Sequence, residues 1–74
     1  LLERKDRLDE AIASFEKAVE AGPKDAEYRA NLGSALLRKG RLDEAIACLR
    51  KAAEVDPRSG RAYRLLGQAL QKKG

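Results

Sequence analysis

Apolar residues recur along this chain at helical spacing and never form a long run. Ala11, Ile12, Phe15, Ala18 and Val19 fall on an i, i+3/i+4, i+7 stripe, and Ala45, Ile46, Leu49, Ala52 and Ala53 repeat it. Leu32, Ala35 and Leu36 make a second kind of stripe, repeated by Tyr63, Leu66, Ala69 and Leu70. Ala and Leu dominate these stretches and few β-branched residues interrupt them, so helix propensity agrees with the period. The breaks are regular too. Pro23 and Pro57 end helices because proline lacks the N–H and clashes with the preceding turn. Gly40 suits a left-handed C-terminal cap. Asp9 and Asp43 suit N-caps, with Glu44 adding charge to the first turn, and Asp25 and Ser59 are the candidates for the other two starts. The pattern predicts four helices, over 9–21, 26–39, 43–55 and 60–73, with residues 1–5 as the last turn of a helix that begins upstream.

The stripes repeat because the sequence does. Residues 7–40 (RLDEAIASFEKAVEAGPKDAEYRANLGSALLRKG) align without a gap on residues 41–74 (RLDEAIACLRKAAEVDPRSGRAYRLLGQALQKKG), with 17 of 34 positions identical. A fixed period of this size indicates a solenoid of stacked helix pairs. Gly33 and Gly67 recur in mid-helix, where glycine costs about 1 kcal/mol against alanine. Recurrence implies a packing reason, and Ala45 and Ala52 on the following helix are the expected close neighbours.

These residues resemble the tetratricopeptide repeat, a 34-residue unit with the pattern W-x2-L-G-x2-Y…A-x3-F…P. Leu32-Gly33 and Leu66-Gly67 match the Leu-Gly pair, and Tyr63 fills the first aromatic place. Leu36 and Leu70 stand at the second aromatic place, Ala11-x3-Phe15 and Ala45-x3-Leu49 match the Ala-x3-Phe element, and Pro23 and Pro57 match the proline. Arg29 replaces the first aromatic in the earlier unit, so that socket is either filled by Tyr28 or left shallower. The resemblance implies an all-α fold of antiparallel helix-turn-helix repeats forming a short right-handed α-solenoid. In that frame residues 1–6 end an upstream helix, followed by the repeat periods 7–40 and 41–74. Helices 26–39 and 60–73 are the first helices of their units, and 9–21 and 43–55 are second helices. The chain has no starting Met and begins out of register with the unit, as a piece of a longer array would. Ile12 and Phe15 at one end, and Leu66, Gly67 and Leu70 at the other, are expected to be partly exposed. Helix 60–73 of one copy could then pack head-to-tail against helix 9–21 of the next, provided residues 1–6 move aside.

The resemblance also implies where function sits, because first helices of such arrays line a concave groove that holds a segment of another protein. Away from its apolar stripe, helix 26–39 carries Glu27, Ala30, Asn31, Ser34 and Arg38, and helix 60–73 carries Arg61, Arg64, Gln68, Gln71 and Lys72. The candidate groove residues are Glu27, Asn31, Ser34, Arg38, Arg61, Arg64, Gln68 and Lys72. Charge sorts by helix type. The two first helices are net basic, and 60–73 has four cations and no acid, whereas the second helices are net acidic. The helix macrodipole accounts for Asp9, Glu10, Asp43 and Glu44 at helix starts and for Lys39 and Lys73 at helix ends. It does not account for Arg61 and Arg64, which lie at the unfavourable end. An acidic peptide is the expected partner. Some members of the family clamp a C-terminal carboxylate with an Asn and several basic residues. Asn31 and Arg61 match two of those places, but Leu65 stands where a basic residue would be needed, so the clamp is incomplete.

Composition narrows the alternatives. The 74 residues hold 16 Lys and Arg against 12 Asp and Glu, with no His and one Cys. A conventional zinc site and a His-activated Ser or Cys nucleophile are thereby excluded, no cofactor is expected, and the chain is not expected to be an enzyme. No apolar run is long enough to cross a membrane. A basic groove also admits RNA, as in the related pentatricopeptide family, but the period is 34 rather than 35 and only Phe15, Tyr28 and Tyr63 could stack on bases. Cys48 sits at the edge of an inward stripe and is expected to be a half-buried filler. A reduced lone Cys fits a cytoplasmic protein.

Overall fold

A computed structural model describes the backbone of residues 2–74 and the side chains from Arg7 onward. Four helices follow one another: α1 (Leu2–Ala21), α2 (Ala26–Lys39), α3 (Leu42–Val55) and α4 (Gly60–Lys73). Three of the four sequence-derived spans are met to within a residue. The first is not, because α1 begins at Leu2 rather than at residue 9 and runs on without a break. The expected separate helix end over residues 1–5 is therefore part of α1, with Leu1 and the side chains of residues 2–6 outside the described residues. Gly40 shows what a break requires. It takes φ 90°, the left-handed region, and Arg41 N then reaches back to Leu36 O at 2.9 Å. One period earlier the same place is held by Asp6, which cannot take that conformation cheaply.

The caps follow local chemistry where a short side-chain oxygen is available. Asp25 Oδ1 accepts from Glu27 N at 3.0 Å, and Ser59 Oγ accepts from Ala62 N at 3.1 Å. The other two expected N-caps are corrected. Asp9 lies inside α1, and the residue before α3 is Arg41, which makes no side-chain cap. Asp43 instead sits in the first turn of α3, where its charge still suits the helix start.

Packing is between sequential helices, and α2 also touches α4. No contact joins α1 to α3 among the described residues. The first helices thus come together while the second helices stay apart, so the stack curves with α2 and α4 on its inner side. Small side chains allow this approach. Ala30, Ala52 and Ala62 are each at most 1% exposed and meet where α2, α3 and α4 converge. Ala30 is therefore a core residue, not the outward-facing one its spacing implied. Ile12 is likewise buried, at 4% exposure, because α2 already covers it. The expected exposure at the other end is found: Gly67 is exposed, Leu66 half-buried and Leu70 43% exposed.

Gly33 explains how α2 and α3 lock. A Cβ placed there would lie 2.6 Å from Leu49 Cγ. Leu49 is fully buried, so it has nowhere to retreat. The close neighbour of Gly33 is thus Leu49, rather than the expected Ala45 or Ala52, which are themselves fully covered within the core. At Gly67 the same test finds nothing within 4 Å. The two glycines should therefore answer substitution with opposite signs. Gly33→Ala meets an overpacking cost of about 1–3 kcal/mol, larger than the roughly 1 kcal/mol that alanine gains in a helix, and is destabilised in a urea melt. Gly67→Ala keeps only the gain and is stabilised by about 1 kcal/mol. Equal shifts in the two melts would contradict this packing.

Candidate functional site

The inner side of the stack is built from α2 and α4, and their polar residues divide by what they are bonded to. Glu27 stands at the start of α2 and Arg61 at the start of α4, one period apart. Arg61 Nη1 donates to Glu27 Oε1 at 2.9 Å, so equivalent positions of successive units are tied directly. A second pair of contacts repeats with the same period. Lys39 Nζ lies 2.6 Å from Asp9 Oδ1, and Lys73 pairs with Asp43. Each links the end of a first helix to the second helix before it, at Asp9 inside α1 and at Asp43 in the first turn of α3. These lysines therefore do more than suit their own helix dipole, since they neutralise an acid on a neighbour. Exposed pairs contribute roughly 0–1 kcal/mol each, so their larger effect is on which charges stay available.

Four cations of α2 and α4 make no ion pair among the described residues: Arg29 is half-buried with its Nε on the Pro23 carbonyl, and Arg38, Arg64 and Lys72 are exposed. Arg64, Gln68 and Lys72 are exposed at i, i+4, i+8 spacing, so they form one polar stripe along α4. Asn31 and Ser34 are half-buried on α2. Arg38 lies at the far end of α2, where it lines a cleft of about 610 Å³ together with Arg7, Leu8 and Ala11 of α1. The eight sequence-derived residues are thus placed as one committed pair (Glu27 with Arg61), two half-buried polar groups on α2, the α4 stripe, and Arg38 apart at the α1–α2 cleft.

Two features escaped the sequence reading. Leu37 is buried at 7% exposure, although its counterpart Gln71 is exposed. That polar-for-apolar exchange across the period was the signal that position 37 faces a neighbour. The cleft beside Leu8 and Ala11 was also missed, because its walls come from two helices. The socket at Arg29 is not filled by Tyr28. Tyr28 stays 38% exposed with its ring against Gly22, while Arg29 turns its Nε to the Pro23 carbonyl at 3.1 Å.

Cys48 is half-buried against the core, as expected for a filler. Burial pushes its thiol above the ordinary range; Arg29 opposes the rise, and Glu44 and Glu16 add to it. A raised folded-state value favours the neutral thiol. The associated stability is present at pH below the unfolded thiol's value and is lost as pH rises through the folded one. Iodoacetamide at pH 8 should alkylate Cys48 more slowly in the native chain than in urea, because less thiolate forms. Equal rates would remove this account.

Comparison with known proteins agrees with the geometry. No helix among the described residues is long and apolar enough to cross a membrane. No curated protein matches the chain at the level of sequence. A family model described as Tetratricopeptide repeat matches residues 2–73. With helix pairs on a 34-residue period and nearly the whole chain matched, this protein belongs to the tetratricopeptide repeat family, whose units serve in general as protein-interaction modules.

Proposed function

We propose that the chain is a non-enzymatic interaction module that takes an acidic segment of a partner protein on its α2–α4 face. The observation that carries this reading is the pair of exposed, unpaired cations Arg64 and Lys72 on α4, a helix with no acid anywhere along it. Arg64 lies near the positive end of the α4 macrodipole, where a cation is unfavourable for the helix itself. A carboxylate partner would relieve both. Arg64 and Lys72 are two turns apart, so they reach carboxylates at two points of an extended peptide, with Gln68 between them able to donate or accept. Asn31 and Ser34 are suited to hydrogen-bond its backbone. The positive field speeds encounter and selects against basic partners.

Glu27 sets a limit on that face. It is the one acid of α2 and α4, and it already occupies Arg61. An acidic ligand competes with Glu27 for Arg61 and meets Arg64 and Lys72 without competition.

Fluorescence anisotropy with a labelled, Glu-rich ten-residue peptide tests the reading at low and physiological salt. Reversing Arg61 and Arg64 to Glu should abolish binding, and unchanged affinity would end the proposal. Glu27→Gln should tighten binding by up to about fivefold, the value of one exposed ion pair released to the ligand. Glu20→Gln changes net charge equally on α1 and controls for charge alone. Single-stranded RNA is the other partner class a basic face admits. Phe15 packs against the core and Tyr28 against Gly22, which leaves few rings for stacking. Salt-sensitive binding of RNA in place of the peptide would favour that class instead.

A further inference from the structure

We propose that α4 of one copy docks on α1 of a second copy, repeating between chains the packing that joins α2 to α3 within one. The argument is independent of the peptide-binding reading. It begins from the fact that both faces are near copies of faces that already pack. On α2 the face is built on Leu32, Gly33 and Leu36, and one period later α4 carries Leu66, Gly67 and Leu70, while Ala69 is already buried within its own chain. On α3 the matching face is Ala45, Leu49 and Ala52, and one period earlier α1 carries Ala11, Phe15 and Ala18, with Ile12 already covered by α2. The occupant that fits the α4 face is therefore present in the chain's own sequence.

Exposure shows which copies of these faces are covered. Ala45, Leu49 and Ala52 are fully buried, whereas their counterparts Ala11, Phe15 and Ala18 are half-buried. Leu36 is 3% exposed and its counterpart Leu70 is 43% exposed. Gly67 is the most specific mark. Gly33 is filled by Leu49 so closely that no Cβ fits, while Gly67 has open space around it. Phe15 stands at the register of Leu49 and supplies the large apolar side chain that Gly67 admits. The α1–α2 cleft falls at the register of Leu70. Leu36 shares its core with Leu42 and Ala45, and the counterparts of those two, Leu8 and Ala11, line the cleft.

Charge favours the same pairing. α4 carries a net +4 and α1 a net −2. An antiparallel arrangement like that of α2 on α3 brings this basic helix alongside α1, whose Glu10, Glu16 and Glu20 make no ion pair among the described residues. One corner fits less well. The seam of Ala30, Ala52 and Ala62 has Arg64, Ala18 and Tyr28 as its counterparts, so bulk widens the contact there. The association is accordingly weaker than the intramolecular packing and depends on concentration. The two faces differ, so the contact is heterologous and adds copies end to end rather than closing a dimer.

Sedimentation velocity across roughly 10 µM to 1 mM tests this on the 74-residue chain, without any added peptide. The expected result is a series of species that grows with concentration beyond a dimer. Gly67→Leu fills the open space on α4 without meeting a neighbour in its own chain. It should remain monomeric with undiminished helical circular dichroism. It keeps an intact α1 face, so an excess of it should shorten wild-type assemblies. Leu70→Glu, on the same face, should also be monomeric. A wild type that stays monomeric over the whole range overturns the proposal and leaves the α4 face to a different segment. A Gly67→Leu chain that associates like wild type overturns it as well.

Discussion

The contact of Leu49 with the bare backbone at Gly33 governs how the rest of the molecule is arranged. Without a Cβ at 33, α3 approaches α2 until Leu49 is wholly buried. Ala45 and Ala52, on the same face of α3, reach zero exposure with it. That approach brings Ala52 to Ala30, and the next turn of the chain adds Ala62 to the same seam. Three methyl groups then separate helices that larger residues would hold apart. In a chain this short, whose core is modest by necessity, closeness of this kind supplies contact that bulk cannot.

The curvature and the charge pattern both follow from it. Because α2 and α4 are drawn together while α1 and α3 are not, Glu27 and Arg61 come within 2.9 Å although they are 34 residues apart. The same spacing repeats the lysine–aspartate contact between Lys39 and Asp9 as that between Lys73 and Asp43. A formal net charge of +4 thus conceals a division. Some cations hold the units in register, and others, among them Arg64 and Lys72, make no ion pair among the described residues. The unpaired set is smaller than a count of basic residues implies.

The open α4 end belongs to the same logic. Gly67 preserves on α4 the close-approach geometry that Gly33 uses on α2. A glycine in mid-helix with no neighbour is a cost without a return, unless some helix comes to lie there. In the proposed contact, Phe15 of a second copy would be to Gly67 what Leu49 is to Gly33.

Much of this was legible in the sequence. Helix type, the breaks at Pro23, Gly40 and Pro57, the caps at Asp25 and Ser59, and the inward stripes depend on interactions within a few residues, and the 34-residue period duplicated each signal. The unbroken α1 was legible in principle, in the Asp6 that stands where Gly40 ends α2. Other features had no local signal. Ala30 at a three-helix seam looks like any alanine on a polar face until α3 and α4 are in place. Arg61 and Arg64 look alike by residue type and position, yet only Arg61 has an acid across from it. The sequence by itself determined the elements, their period and the list of charged groups, because helix formation and capping act over a turn. The tertiary structure alone decided which faces are closed and which cations are committed. Burial and ion pairing depend on distances between helices, and those distances are set by small residues meeting from three separate parts of the chain.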